Sequence, residues 1–251
     1  MSDLREERVL EEVRDAWGVI RVLEVGDYRF LEFGEAIEQS CVYMPEPSWL
    51  EYDYTRAMLL GALCHEAPEN ALFLGLGGGT LTQACLKFLE LEDVEAIELR
   101  PDVPRLAMQY LGLADDPRLY VRIGDALELL DSAESCDLLF VDLYTDTGPA
   151  PGHLAWKFLE NCQKRLSPGG WLVINQWGND DGKPLGAALL RGLFHRHYWE
   201  IPVKEGNVIL LVPAELDQPL NFDALTARAE ALAPRLGYSL QPLLDVLRPA
   251  S

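Results

Sequence analysis

The segment from Ala71 to Gly79, ALFLGLGGG, restricts this chain to a small group of folds. An apolar run breaks into Gly75, Gly77, Gly78 and Gly79, and a series of good helix formers, TLTQACLKFLEL, follows. That order reads as a buried strand, a tight turn and a helix N-terminus. Glycine suits the turn because a Cβ would block both the positive φ angles and the close approach of a ligand to the backbone. Further strand ends repeat the theme: Glu98 ends VEAIE, Gly124-Asp125-Ala126 ends LYVRIGDA, and Asp142 opens the loop LYTDTGPAPG. Ligands of open α/β sheets bind at the carboxyl edge of the strands, so these ends facing one crevice would hold a nucleotide.

From Pro68 onward strand and helix patterns alternate, which specifies an α/β unit with a parallel sheet covered on both faces. Strands are expected over Ala71 to Gly75, Val94 to Glu98, Leu119 to Ile123, Leu138 to Asp142 and Trp171 to Gln176, with more near Tyr198 to Val203 and Val208 to Val212. Helices are expected over Leu81 to Leu89, Asp102 to Tyr110, Ala126 to Leu130, His153 to Leu166 and Pro184 to Phe194, and again in the tail, Phe222 to Arg248. Before Pro68 the texture differs. Val9, Leu10, Val13 and Trp17 at helical spacing predict a short amphipathic helix over Leu4 to Trp17. Alternating residues from Val19 to Met44, with turns at Gly26-Asp27 and Gly34-Glu35, predict a small antiparallel sheet of about three strands. A helix is expected over Trp49 to His65, after Pro45 and Pro47. The expected division is therefore residues 1–67, a helix, a small sheet and a connecting helix, and residues 68–251, a Rossmann-like nucleoside-binding unit.

Charge and cysteine usage exclude several functions. The formal net charge is −20 and no Lys/Arg cluster interrupts the acidic surface, so nucleic acid is not an expected partner. A cationic substrate would be steered favourably. No apolar run approaches the ~18 residues of a membrane helix, and the charged N-terminus resembles no secretory signal, so a cytoplasmic protein is expected. The five cysteines are scattered without a C-x-x-C pair, against a disulfide framework or zinc site. His195-x-His197 lacks a third ligand of recognisable spacing, so no metal is expected.

The candidate site residues follow from chemistry. Glu98 lies about twenty residues after the glycines, where an acid accepts from both hydroxyls of a ribose held over the turn; the lesser alternative is an ordinary surface charge at a strand end. Asp125 can accept from an adenine amine, can cap the helix that begins at Ala126, or both. Asp142 suits deprotonation of an attacking amine, since an alkylamine with a pKa near ~10.4 arrives as an ammonium. Tyr54, Tyr144 or Trp177 would supply faces for that cation.

Together these features resemble the spermidine synthase family of polyamine aminopropyltransferases, over roughly Gly34 to Gln176. The resemblance is carried by Gln39 in EAIEQS, by Glu51-Tyr52-Asp53-Tyr54 before Met58, by Gly79-Thr80-Leu81, by Ile97-Glu98-Leu99, by DPRLYVRIGDA, by CDLLFVD and by GPAPG. It implies a Rossmann-like S-adenosylmethionine-dependent methyltransferase fold behind a small N-terminal antiparallel β-sheet domain, usually a homodimer, that binds decarboxylated S-adenosylmethionine and a small amine substrate. Carried over, Gly75, Gly77, Gly78, Glu98, Leu99, Asp125, Ala126 and Gln39 would hold or border the donor. Tyr54, Tyr144, Thr145 and Asp146 would line the amine site, and Asp142 would be the base. The chain departs from the family at three points: Gly77 stands where the family has an Asp for the aminopropyl ammonium, Thr55 follows Tyr54 in place of His or Gln, and the loop's second carboxylate has moved one place, to Asp146. Glu51, Asp53 and Asp146 are the acids available to compensate. The implied activity is transfer of an aminopropyl group to a polyamine-type amine; the alternatives are methyl transfer from intact S-adenosylmethionine and a catalytically silent nucleoside-binding homologue.

Overall fold

The computed structural model describes residues 7–34 and 37–250. The chain opens with β1 (Arg8–Asp15), β2 (Gly18–Val25), β3 (Tyr28–Phe33) and β4 (Ile37–Tyr43), an antiparallel four-stranded sheet in sequence order. The helix expected over Leu4 to Trp17 is therefore corrected: its described part is strand β1, while Leu4, Arg5 and Glu6 lie outside the described residues. The register of β1 on β2 slips between Val9 and Glu11, a bulge at Leu10. The extra residue spaces the half-buried Leu10 and Val13 three apart, which imitates a helical stripe inside a strand. Of the two expected turns, Gly26-Asp27 joins β2 to β3, and Gly34 follows β3 at φ +60°, its partner Glu35 lying outside the described residues.

Next comes α1 (Asp53–Ala62), inside the expected helical segment, and then the alternating unit. It runs β5 (Asn70–Leu74), α2 (Thr80–Phe88), β6 (Asp93–Glu98), α3 (Asp102–Tyr110), β7 (Leu119–Ile123), α4 (Ala126–Leu129) and β8 (Cys136–Val141). A short hairpin, β9 (Tyr144–Thr145) and β10 (Gly148–Pro149), precedes α5 (Trp156–Lys164) and the long β11 (Leu166–Trp177). The C-terminal part is α6 (Ala187–Leu193), β12 (Trp199–Pro202), β13 (Asn207–Pro213), α7 (Phe222–Leu236), α8 (Gln241–Leu244) and β14 (Arg248–Pro249). The tail is thus not one helix. Gly237 ends α7 in the left-handed conformation at φ +78°, and the last residues pair with β12 instead.

The eight-stranded sheet has the order β14-β12-β13-β11-β8-β5-β6-β7. The strands β11, β8, β5, β6 and β7 are parallel, and β13, β12 and β14 add antiparallel pairs at one edge. From β5 the chain proceeds to β6 on one side and later to β8 on the other, so the order reverses between β5 and β8 and opens a crevice at their carboxyl ends.

Alternation along these strands builds two cores, one on each face. Phe73, Phe140, Trp171, Val173, Ile209 and Leu211 meet α1, α2, α3 and α7 on one side. Leu72, Leu74, Leu139, Val141, Leu172 and Ile174 meet α5 and α6 on the other. The rings of Phe73 and Phe140 stack at 4.4 Å between centroids. Helix α1 lies directly on β11 and β13: a Cβ on Gly61 would come within 2.6 Å of Leu211, so only glycine permits this approach. All five cysteines are free thiols, and burial raises the pKa of Cys41 to about 12.

Candidate active site

Gly75 and Asp142 stand side by side across the switch point, each the residue after its strand. A Cβ on Gly75, whose φ is +94°, would lie 2.3 Å from the Asp142 carbonyl oxygen, so any other residue would push the two strand ends apart. The turn is further held by Glu98 at the end of β6. Its carboxylate is buried and accepts the Leu76 N–H and the Arg100 N–H, each at 3.0 Å. Burial raises its pKa and these N–H groups pull in the opposite direction. A carboxylate has about four acceptor positions, so both oxygens keep capacity for ligand hydroxyls. Leu99 beside it is half-buried.

Gly77 and Gly78 face the N-terminal sheet rather than open solvent. Ser40 on β4 accepts the Gly78 N–H at 2.8 Å, and a Cβ on Gly77 would lie 2.8 Å from the same hydroxyl oxygen. Gln39, next to Ser40, is half-buried, with its amide near the Ile37 carbonyl at 3.5 Å. Asp125 caps α4 through the Leu127 N–H at 2.8 Å, and Ala126 is buried in the first turn. The exposed Ile123 and Leu127 flank this cap.

On the other side of the crevice Asp142 meets aromatic residues. Its carboxylate accepts from the Asn175 amide at 2.8 Å, and burial raises its pKa to about 6. The Tyr54 phenol is pushed far above its usual range by burial first, then by the carboxylates of Asp142 and Glu38 and by Tyr144 and Glu205. Tyr144 is raised by burial and by Asp142. Its ring lies 6.0 Å from that of Trp177, whereas Tyr54 stacks on Tyr52. The Tyr52 hydroxyl donates to Glu38. The result is a group of phenols with carboxylates around it, suited to a cation.

The other candidate acids are committed elsewhere. Glu51 accepts from the Trp49 indole at 3.0 Å, and Asp53 pairs with Lys204 at 3.1 Å. Asp146 is exposed at the tip of the β9–β10 hairpin, where it lies against Gly34. Thr145 is occupied inside that hairpin, with its hydroxyl 3.1 Å from the Gly148 carbonyl oxygen.

Several residues that shape the site carry no motif. Ser40, Asn175 and Asn207 lie in ordinary strand sequence, and only the register between strands brings them to the crevice. His153 is buried under the loop: one ring nitrogen is 2.6 Å from the Ala150 carbonyl, and the other is 3.0 Å from the Gln176 amide. The first contact requires an N–H at that nitrogen, and the two contacts together fix the orientation of the ring. His195-Arg196 forms a left-handed turn, φ 50° and 65°, rather than a strand. Among the described residues no group of three His, Cys, Asp or Glu side chains could hold a metal, and no helix is long and apolar enough to cross a membrane.

The Spermine/spermidine synthase domain matches residues 52–179, which run from α1 through the carboxyl end of β11. The chain belongs to this family. Among curated family members, the polyamine aminopropyltransferase of Vibrio vulnificus is 29% identical over 91% of this chain and 79% of its own length. A spermidine synthase solved with the transition-state analogue AdoDATO shares the fold at a TM-score of 0.71, with 15% identity over 95% of this chain and 82% of that one. Human methyltransferase-like protein 13, solved with SAH, aligns at a TM-score of 0.64 and 25% identity, over 73% of this chain and 92% of that one. The fold is accordingly that of the S-adenosylmethionine-dependent methyltransferases, with the small antiparallel sheet set before it.

Proposed function

We propose that this chain is an aminopropyltransferase that uses decarboxylated S-adenosylmethionine as donor and a di- or polyamine as acceptor. The observation that carries the reading is Asp142: a carboxylate with its pKa raised by burial, beside the glycine turn and opposite the phenols of Tyr54 and Tyr144.

Residues of this chain fit both substrates. Glu98 retains acceptor capacity for the ribose, the outer oxygen of Asp125 can accept from the adenine amine, and the turn at Gly75 leaves no side chain between backbone and ligand. Leu99, Ala126 and Gln39 border that ligand in this reading. Tyr54, Tyr144, Thr145 and Asp146 line the acceptor side. The donor supplies a carbon activated by the neighbouring sulfonium.

Asp142 then performs the proton transfer. An ammonium enclosed by aromatic faces loses hydration, which lowers its pKa, while burial raises that of Asp142, so the two move toward each other. The carboxylate takes the proton, the freed nitrogen lone pair forms the new C–N bond, and the C–S electron pair leaves with methylthioadenosine. No metal enters this scheme.

The test is methylthioadenosine release from decarboxylated donor with a panel of diamines and polyamines, with intact S-adenosylmethionine as the parallel donor. Release dependent on an amine is expected. Failure with every amine, or methylation from the intact donor in its place, sinks the proposal.

A further inference from the structure

Asp142, Asn175 and Asn207 form one polar row across three adjacent strands. Ile174 pairs with Val141, which brings Asn175 beside Asp142; Trp177 pairs with Asn207, two positions further along β11. All three side chains lie on the sheet face that α1 covers, because Phe140, Val173 and Ile209 of the same parity pack there. The Asn175 amide donates to the Asp142 carboxylate at 2.8 Å, and the Asn207 amide donates to the Asn175 side-chain oxygen at 2.8 Å. Asn175 is only 3% exposed, so neither end of its amide has water as a ready substitute.

The row has a fixed direction. An ionised carboxylate only accepts, so Asn175 must turn its NH2 toward Asp142 and its oxygen away. That oxygen needs a donor, which Asn207 supplies. Without Asn207 that buried oxygen is left with no donor in the row, and only the carboxylate itself opposes a flip of the Asn175 amide. The Asn207 side chain also hydrogen-bonds the Tyr144 phenol.

We infer that Asn207 is a positioning residue for the reaction: through Asn175 it holds a hydrogen-bond donor on Asp142 and so sets the orientation and protonation of that carboxylate. The inference rests on the proposed role of Asp142 as base. Other groups act on the same carboxylate or its surroundings: Tyr54 from α1, Tyr144 from β9, Glu38 from β4, and Glu205 and the Lys204–Asp53 pair beside β13 and α1. Of these, Tyr144 donates to the Asn175 backbone carbonyl at 3.4 Å, but the Asn175 side-chain oxygen accepts from Asn207, so the Asn207 effect on the amide is separable.

The experiment follows the Asp142 carboxyl by carbon-13 NMR titration in the wild-type protein, Asn207→Leu, Asn207→Asp, Asn175→Leu and the double leucine variant, alongside pH profiles of kcat/KM. Loss of the donor makes the charged carboxylate less favourable, so the Asp142 midpoint is expected to rise by about half a unit or more in Asn207→Leu, and further in Asn207→Asp. The acidic limb of kcat/KM should move by the same amount with little change in KM for the amine, and the double leucine variant should titrate like Asn175→Leu alone. A midpoint unchanged in both folded Asn207 variants, or shifts that simply add in the double variant, overturns the inference. The two readings fail separately: a wild-type protein that releases no methylthioadenosine refutes the catalytic role, while the NMR midpoints still decide the coupling.

Discussion

Ser40 and Gly77 contend for one space: the serine hydroxyl oxygen lies 2.8 Å from the point where a Cβ on Gly77 would sit. The glycine also has φ +54°, so both sterics and backbone favour the absence of a side chain there. The two positions can change only together. Gly77→Asp alone is expected to cost roughly 1–3 kcal/mol in urea unfolding. Ser40→Gly combined with Gly77→Asp should recover only the steric part of this, since the positive φ remains and the Gly78 N–H loses its acceptor. It should also shift calorimetric binding toward the decarboxylated donor by about tenfold relative to the intact one, because the new carboxylate attracts an ammonium and repels a second carboxylate. Equal affinities in the double variant would place position 77 away from the donor's chain.

Asp142→Asn should abolish most turnover, by about 10²-fold or more, while stabilising the protein at neutral pH. The sign follows from linkage. The folded pKa is about 6 and the reference value 3.8, so between these the folded state binds the extra proton, and stability falls as pH rises from about 4 to about 6. Above that window the wild-type protein carries the full cost of a buried charge. The asparagine variant should therefore be more stable by about 1–3 kcal/mol at pH 8 and indistinguishable near pH 3.5. Denaturant melts at both values check it.

In the proposed role the same group would set the acidic limb of activity. Log kcat/KM for the wild-type enzyme is expected to fall with unit slope below about pH 6 as Asp142 takes up its proton. A limb near pH 4 would mean that the base is a carboxylate of ordinary environment.

The placement of Gly75, Glu98, Asp125 and Asp142 at strand ends was legible in the sequence, because each closes or follows a segment that announces its strand. The parallel sheet followed from the same alternation of elements. Strand β1 was not legible, since the bulge at Leu10 breaks the two-residue period on which a strand reading depends. Asn175 and Asn207 carried no signal of their own. They lie 32 positions apart, and their contact exists only through the register of β11 on β13. Ser40 was missed for a related reason, because its role depends on how the small sheet docks on the turn.

That docking has its own test. Arg100 forms a two-nitrogen ion pair with Asp15 at 2.7–2.8 Å, donates to the Gly18 carbonyl and lies 4.3 Å above the Phe33 ring. Both partners are almost wholly buried, at 5% and 10% side-chain exposure. Burial pushes the Asp15 pKa up, but Arg100 and the Trp17 N–H hold it below the usual range overall, so the pair's stabilisation is present above about pH 4 and lost on acidification. Removing one partner leaves a buried charge, so Arg100→Met should cost about 3–5 kcal/mol, and the paired change with Asp15→Leu should cost much less. Urea unfolding reads both costs; Arg100→Met keeps the backbone N–H that serves Glu98, so methylthioadenosine binding measured by calorimetry should change little in the folded variant.

Beneath the crevice, the stacked rings of Phe73 and Phe140 sit two residues before Gly75 and Asp142 on their respective strands. Any displacement of one strand end has to be transmitted through that aromatic contact to the other. The glycine turn and Asp142 therefore behave as a single machined part, and in the proposed reading variation in the acceptor would be absorbed by what surrounds it: the β9–β10 hairpin, the N-terminus of α1 and the tip of the small sheet. A lineage could retune which amine it accepts by altering those outer pieces while the reacting centre kept its alignment.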